Sequence, residues 1–343
     1  MEFQLPISIK PLSNPISYGD NILLIGSCFT EHIGDALQEL KFSILQNPNG
    51  ILFDPASVSR SLNSYIENKK YSEGDFFELN EVWHSWEHHS RFSSTDLKQA
   101  VRRVNESQQR AHEFLKKADW IIITLGSAFS YRLTEHAMAA FEKVLGEASP
   151  ARHAVGFGVA NCHRAPAQWF QKHLLSIDEI VCTLDDSIQK LFEFNPGLNI
   201  IFTVSPVRHI RDGVVENNRS KARLIESVHS LLSKSKNAYY FPAYELVIDV
   251  LRDYRFYDAD LVHPNYMATE FVLENFAKYC IDESTQKLME EVKSIVIARK
   301  HKAFQPETKG HRQFLKSYLE KAKALQAKYP FLDLSDEINY FGS

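Results

Sequence analysis

Two stretches carry residue types that can do chemistry together. In NILLIGSCFTEHIG (residues 21–34) an apolar run stops at Gly26, and Ser27 and Cys28 follow side by side where a helix should begin. A nucleophile at such a turn gains two things. Backbone N–H groups there can receive a developing oxyanion, and the positive helix end favours an anion, so a thiolate there should have a lowered pKa. The same residues also fit a plain turn in which Ser27 caps the helix and Cys28 packs as a small hydrophobe. Far along the chain, DADLVHPN (258–265) sets Asp260 three residues before His263. A carboxylate so placed can hold the imidazole Nδ1–H and leave Nε2 free to take a proton from a nucleophile. Each signal is weak alone; together they describe a nucleophile, a base and the acid that orients it.

Other polar residues compete for attention. His84, Glu87, His88 and His89 lie close together, and His84 and His88 are spaced so that a helix would put both on one face. No further ligand is evident, so the pattern calls for no metal and no cofactor. His84 and His88 are read instead as part of a lid or pocket beside Trp83, Trp86 and Arg91, with plain packing as the alternative. Asn161 and His163, in NCHRAP, are read as pocket polar groups or as turn hydrogen-bonders. Ser205, Arg208 and His209, in SPVRHIRDG, should lie on the site's rim. Arg208 could grip a carboxylate or phosphate on a substrate, or pair with Asp212 or another acid. Arg252, Asp253 and Arg255 are expected to form a buried ion-pair network bracing the Asp260–His263 loop.

These residues need a frame that brings distant turns together. Residues 21–26, 120–126, 199–206 and 238–243 are apolar throughout, as strands covered on both faces are, and 42–48 is a weaker candidate. Helical periodicity occupies 29–40, 55–67, 95–117, 175–194, 218–235, 243–254 and 266–279. Alternating strands and helices predict an α/β fold with a parallel sheet and a site at the strands' carboxyl ends. Residues 68–94 break the alternation and read as a His- and aromatic-rich insertion. The Lys/Glu-rich stretch after 282 reads as a helical extension. The expected organisation is one domain over 1–282 with an extension over 283–343 packed on it.

Composition narrows the partners. The net charge of -4 gives no reason to expect nucleic acid or an anionic membrane as partner. The four cysteines show no zinc-like spacing and read as free thiols of a reducing, cytoplasmic compartment. The first residues lack the basic and apolar regions of a signal peptide, and no apolar run approaches membrane-spanning length.

The chain resembles the GSCFA family, whose motif stands here as Gly26-Ser27-Cys28-Phe29-Thr30, with Thr in place of the final Ala. Further family-like segments are 47–55, 83–92, 124–132, 159–166, 203–213 and 240–265. That family is similar to the SGNH (GDSL-like) hydrolases. The resemblance implies a three-layer α/β/α fold with a five-stranded parallel sheet and flavodoxin-like topology. It also implies a Ser–Asp–His-type triad and an oxyanion hole from a Gly after the second strand and an Asn after the third. Carried over, Asp260 and His263 match the triad, and Gly50 matches the oxyanion glycine. The nucleophile falls on Cys28, or on Ser27 if the motif slips by one residue. The oxyanion Asn has no counterpart in Gly126-Ser127-Ala128-Phe129, so Ser127 or Asn161 is the expected substitute. The implied activity is an esterase or acyltransferase working through an acyl-enzyme on a small-molecule or carbohydrate ester. The alternative is a non-catalytic ligand-binding protein on the same scaffold.

Overall fold

The computed structural model describes residues 5–137, 156 and 158–343. The apolar runs become the strands of one parallel sheet: β1 (Asn21–Gly26), β2 (Ser43–Gln46), β5 (Trp120–Leu125), β9 (Asn199–Val204) and β10 (Ala238–Tyr240). Their order is β10-β9-β5-β1-β2. β1 pairs with β2 through Ile22↔Ile44 and with β5 through Leu24↔Ile122, all in parallel register. This is the flavodoxin-like order, and its switch point lies at β1.

The unbroken apolar runs follow from helices on both faces. Ile22, Leu24 and Ile122 pack toward α1 (Cys28–Glu39) and α6 (Tyr266–Cys280). Leu23, Ile25 and Ile123 pack toward α2 (Pro55–Glu67), α4 (Ile177–Phe194) and α5 (Val214–Leu232), with α3 (Leu97–Leu115) beside them. β2 is the sheet edge and none of its residues is fully buried, which is why its sequence signal is weak. Local capping starts the helices. Asp54 accepts from Ser57 N–H, Asn265 accepts from Ala268 N–H, and Ser176 with Glu179 forms a capping box.

The extension forms α7 (Glu283–Lys300), α8 (Lys309–Lys328) and α9 (Ser335–Gly342). Leu288, Val292, Ile295 and Leu325 join the same core cluster as Ile22 and Leu24. Among the described residues, no helix is long and apolar enough to cross a membrane.

One expected helix differs, and two local arrangements add to what the sequence implied. The 243–254 helix is a short α-turn, Ala243–Glu245, running into a π-helical turn, Leu246–Leu251, stopped at left-handed Arg252 (φ 48°). The His- and aromatic-rich insertion is present. It is a β-hairpin, β3 (Phe77–Leu79) with β4 (Val82–His84), followed by a 3₁₀ turn, so the His84/His88 spacing does not put them on one helix face. An antiparallel sheet of β6 (Phe129–Leu133), β7 (Gly158–Val159) and β8 (Phe170–Leu174) was not foreseen. It shares a small core with the insertion, in which Phe77 and Trp86 meet Leu133 and Val159.

Candidate active site

The turn after β1 is built tightly. Gly26 has φ +142°, and a Cβ there would lie 2.1 Å from the Thr124 carbonyl oxygen, so only glycine fits. Gly26 N–H donates to Asn47 Oδ1 at 2.9 Å and Ser27 N–H to Thr124 O at 3.1 Å. Ser27 occupies the N-cap of α1 with extended backbone but makes no side-chain cap bond. Its side chain is 0% exposed, and its Oγ is buried with no hydrogen-bond partner. Cys28, the first residue of α1, is only partly buried and its thiol is free.

The expectation of a lowered thiol pKa is not met. Burial pushes the Cys28 thiol up; the backbone N–H groups of Phe29 and of Cys28 itself pull it back part of the way. Glu31 adds a further upward push and Lys221 a downward one. The helix N-terminus is present, yet desolvation of the thiolate outweighs it.

Asp260 and His263 do come together. His263 Nδ1 lies 2.6 Å from Asp260 Oδ2, and Asp260 Oδ1 accepts from the N–H groups of Val262 at 2.9 Å and His263 at 3.0 Å. The histidine and these N–H groups hold the Asp260 carboxyl down to about 2. Left-handed Leu261 (φ 58°) shapes the loop, and Asp258 N–H donates back to His263 O at 2.8 Å. Asp260 is therefore preset as a carboxylate on the Nδ1 side of the His263 ring, with Nε2 unused by Asp260.

The brace for this loop differs from the one expected. Arg252, Asp253 and Arg255 are exposed, and Arg255–Asp253 is a surface contact at 3.6 Å. Arg208 grips no acid. Its guanidinium lies over Tyr257 at 4.3 Å and Tyr254 at 5.1 Å, and its backbone N–H donates to Val262 O at 3.1 Å. Asp212 pairs with Lys172 instead. Arg208 thus ties the turn after β9 to the Asp260–His263 loop.

The backbone N–H groups of Gly50 and Ser127 are engaged elsewhere. Gly50 N–H donates to Asn47 O at 2.7 Å within a turn at φ +80°, and a Cβ at Gly50 would meet His89 Cβ at 2.2 Å. Ser127 is buried; its N–H donates to Phe53 O at 2.9 Å, and its Oγ accepts from Phe129 N–H at 3.0 Å and lies 3.3 Å from Ser220 Oγ. Asn161 Oδ1 accepts from His163 N–H at 2.8 Å, which is turn chemistry.

His88 and His163 are packed in the interior, His88 from the insertion and His163 from the segment beside it. His88 is 1% exposed, bonds Ser85 Oγ at 2.9 Å and meets the Tyr71 ring edge-on at 4.8 Å. Buried His163 bonds the Ser85 carbonyl through Nε2 at 2.9 Å and meets half-buried His84 at a tilt, with ring centroids 4.5 Å apart. Burial drives His88 down to about 3 and His163 to about 4, so both stay neutral. They hold the insertion's own core, because its hairpin is too small to pack without them. Among the described residues no group of three or more His, Cys, Asp or Glu is placed to hold a metal ion.

One residue of the site escaped sequence reading. Lys221, on α5, is 1% exposed, and its ammonium donates to Gly126 O at 2.6 Å and Ser205 O at 2.7 Å. Burial lowers it to about 7, with the nearby Cys28 thiolate as the opposing influence. Its neighbour Ser220 donates from Oγ to no acid but accepts from Ala128 N–H at 2.7 Å, and Asn217 Oδ1 accepts from His209 N–H at 2.8 Å. One face of α5 thereby holds the turns after β5 and β9. His209, expected on the rim, lies beside Gly126. It meets Phe53 edge-on at 5.4 Å, and its Nε2 is buried with no partner. Lys221 looks unremarkable in sequence, since its role depends on contacts between distant segments.

Comparison with known proteins follows the same lines. A search of curated proteins finds no match. Among solved structures, a carbohydrate esterase family 3 protein from Talaromyces cellulolyticus is similar at 10% identity and a TM-score of 0.33, with 80% of this chain and 99% of that one covered. An acetyl xylan esterase (Est2A) from the rumen bacterium Butyrivibrio proteoclasticus is similar at 10% identity and a TM-score of 0.32, with 78% and 65% covered. Both are distant likenesses, so the chemistry has to be read from the site itself. The sequence model of the GSCFA family matches residues 21–276, and that of the GSCFA domain protein, C-terminal domain, matches 292–343. With both the GSCFA motif and most of its length matched, the chain belongs to the GSCFA family.

Proposed function

We propose that this chain is an SGNH-like esterase or acyltransferase that forms a thioester on Cys28. The observation that carries the reading is the 2.6 Å Asp260–His263 pair. Binding alone has no need of a carboxylate-oriented base. The choice of Cys28 over Ser27 is supported by burial, since Ser27 is wholly enclosed and Cys28 is not.

In the proposed step, Sγ of Cys28 attacks the acyl carbonyl as His263 Nε2 takes the thiol proton. The C=O electron pair moves onto oxygen. When it returns, the C–O bond to the alcohol breaks, and His263 gives its proton to the departing oxygen. Asp260 keeps Nδ1 protonated and steadies the imidazolium. Water or an acceptor hydroxyl then cleaves the thioester by the same proton route. The substrate class is an acyl ester of a small molecule or a carbohydrate, and a thiol nucleophile suits a reducing, cytoplasmic setting.

A second reading, a ligand-binding protein on this scaffold, is favoured by the occupied N–H groups of Gly50 and Ser127. Burst kinetics with a chromogenic acyl ester separate the two. The acyl-enzyme reading expects about one equivalent of alcohol released rapidly per chain, retained in Ser27→Ala and lost in Cys28→Ala. Absence of a burst together with absence of turnover supports the binding reading.

A further inference from the structure

The loop that carries His263 presents an apolar surface to solvent. Its backbone closes on itself: Tyr257 and Pro264 form an antiparallel bridge, Asn265 N–H donates to Phe256 O at 2.9 Å, and Asn265 Nδ2 donates to Arg255 O at 2.7 Å. The stretch from Tyr254 to Met267 is therefore one tight unit, and Arg208 pins it from the turn after β9. Leu261 is 49% exposed, Tyr254, Tyr266 and Met267 are each more than half exposed, and His263 among them is only partly covered. A single exposed apolar residue needs no explanation, but a group of them on one loop around a candidate base marks a contact surface. Leu261 adds an independent sign. Its φ of 58° lies in the left-handed region, where Gly or Asn would sit at less cost than leucine. Neither backbone geometry nor burial favours leucine there, so its side chain answers to something outside the chain.

We propose that this rim receives the alcohol part of the substrate, and that the alcohol is apolar: an alkyl or aryl ester rather than the ester of a sugar hydroxyl. The inference rests on the acyl-enzyme reading above and narrows its substrate. The mechanism fixes which half of the ester lies here. His263 Nε2 hands its proton to the departing alcohol oxygen, so that oxygen leaves within hydrogen-bond reach of the ring. The carbon body attached to it then lies against the side chains that flank His263 in the loop. Leu261 and Met267 offer aliphatic surface with no group to bond sugar hydroxyls, and Tyr254 and Tyr266 add aromatic rings. Covering that surface is favourable in proportion to the apolar area taken from water. An acceptor hydroxyl that cleaves the thioester enters by the same proton route in reverse, so the same rim selects an apolar acceptor.

Simple acetates test this, because the alcohol changes while the acyl group does not. Ethanol and hexanol are equally poor leaving groups, so ethyl and hexyl acetate differ only in the chain that the rim covers. Acetate release is followed for both and for glucose pentaacetate. In wild type, kcat/KM should be about 10-fold or more higher for hexyl than for ethyl acetate, with glucose pentaacetate below hexyl acetate. Leu261→Asn, which suits a left-handed backbone, should bring the hexyl-to-ethyl ratio to within about 3-fold of unity without lowering the thermal unfolding midpoint. Met267→Gln should lower the ratio in the same direction. A wild-type protein that acylates Cys28 yet hydrolyses ethyl and hexyl acetate alike, or prefers glucose pentaacetate, would overturn the assignment while leaving the acyl-enzyme intact. So would a hexyl preference that survives both substitutions. A wild-type protein that never acylates at Cys28 with p-nitrophenyl acetate would overturn the acyl-enzyme reading and this inference with it.

Discussion

At the scale of single residues, the outcome turns on burial. The sequence leaves Ser27 and Cys28 as rivals, since residue type and spacing suit both. The fold separates them by enclosing Ser27 completely. Asp260 and His263 were legible because their relation is local: three residues and one tight loop bring Oδ2 and Nδ1 to 2.6 Å. Lys221 was not legible as a site group, because its partners, the carbonyls of Gly126 and Ser205, come from turns after other strands. Arg208 was misread for the opposite reason. Its charge suggested an anion, but two tyrosines supply a better surface for a planar guanidinium. Two predictions belong here. Asp260→Asn should lower kcat for an acyl ester by on the order of 10³-fold with little change in KM, measured by steady-state kinetics. An unchanged kcat would remove Asp260 from the relay. Without its base, Cys28 should behave as its burial dictates. In His263→Ala, the iodoacetamide rate at Cys28 should rise with a midpoint above the ordinary thiol value, because desolvation favours the neutral form. A midpoint near neutrality would mean that the helix terminus outweighs desolvation after all.

At the scale of elements, α5 is the part that positions the site. Its buried face carries Asn217, Ser220 and Lys221, which hold the turns after β5 and β9. The strands and most helices could be read from apolar runs and periodicity, since those signals reflect burial on two faces or one. The antiparallel strands β6 to β8 could not, because they are short, partly exposed and lack a clean alternation. The buried lysine gives this element a pH signature. Lys221 titrates near 7 when folded and near 10.4 when unfolded, so between those values the unfolded chain holds the extra proton. Its contribution to stability therefore rises with pH across that window, by up to about 1.4 kcal/mol per pH unit. Comparing wild type with Lys221→Met by denaturant unfolding from pH 7 to 10 isolates it. The stability gap should shift toward wild type as pH rises; a constant gap would mean that the lysine is not forced toward neutrality. Gly26→Ala should cost about 3 kcal/mol or more in the same assay, since φ +142° and the Thr124 carbonyl leave no room for a methyl group.

At the scale of the whole molecule, one core joins the sheet to the C-terminal helices. Ala322, Leu325 and Phe341 are buried in the cluster that holds Ile22 and Leu24. A chain ending at 282 should therefore lose cooperative unfolding, seen as a broadened or absent thermal transition. A sharp transition at wild-type temperature would mean that the extension is dispensable. The periodicity of 283–330 revealed helices but not what they cover, because an amphipathic face does not name its partner. The buried neutral histidines set a global acid limit. His88, His163 and His209 have folded pKa values of about 3 to 4, below the unfolded value near 6.5. Stability is thus full above about pH 6.5 and falls as pH drops toward 4, where the unfolded chain takes protons the folded one refuses.

The most direct measurement is peptide mass mapping after brief exposure to p-nitrophenyl acetate, in wild type and in His263→Ala. The prediction is an acetyl group on Cys28, labile to hydroxylamine, with Ser27 unmodified and the adduct all but absent in His263→Ala. An adduct on Ser27, or one on Cys28 that forms equally fast without His263, would contradict the proposed mechanism.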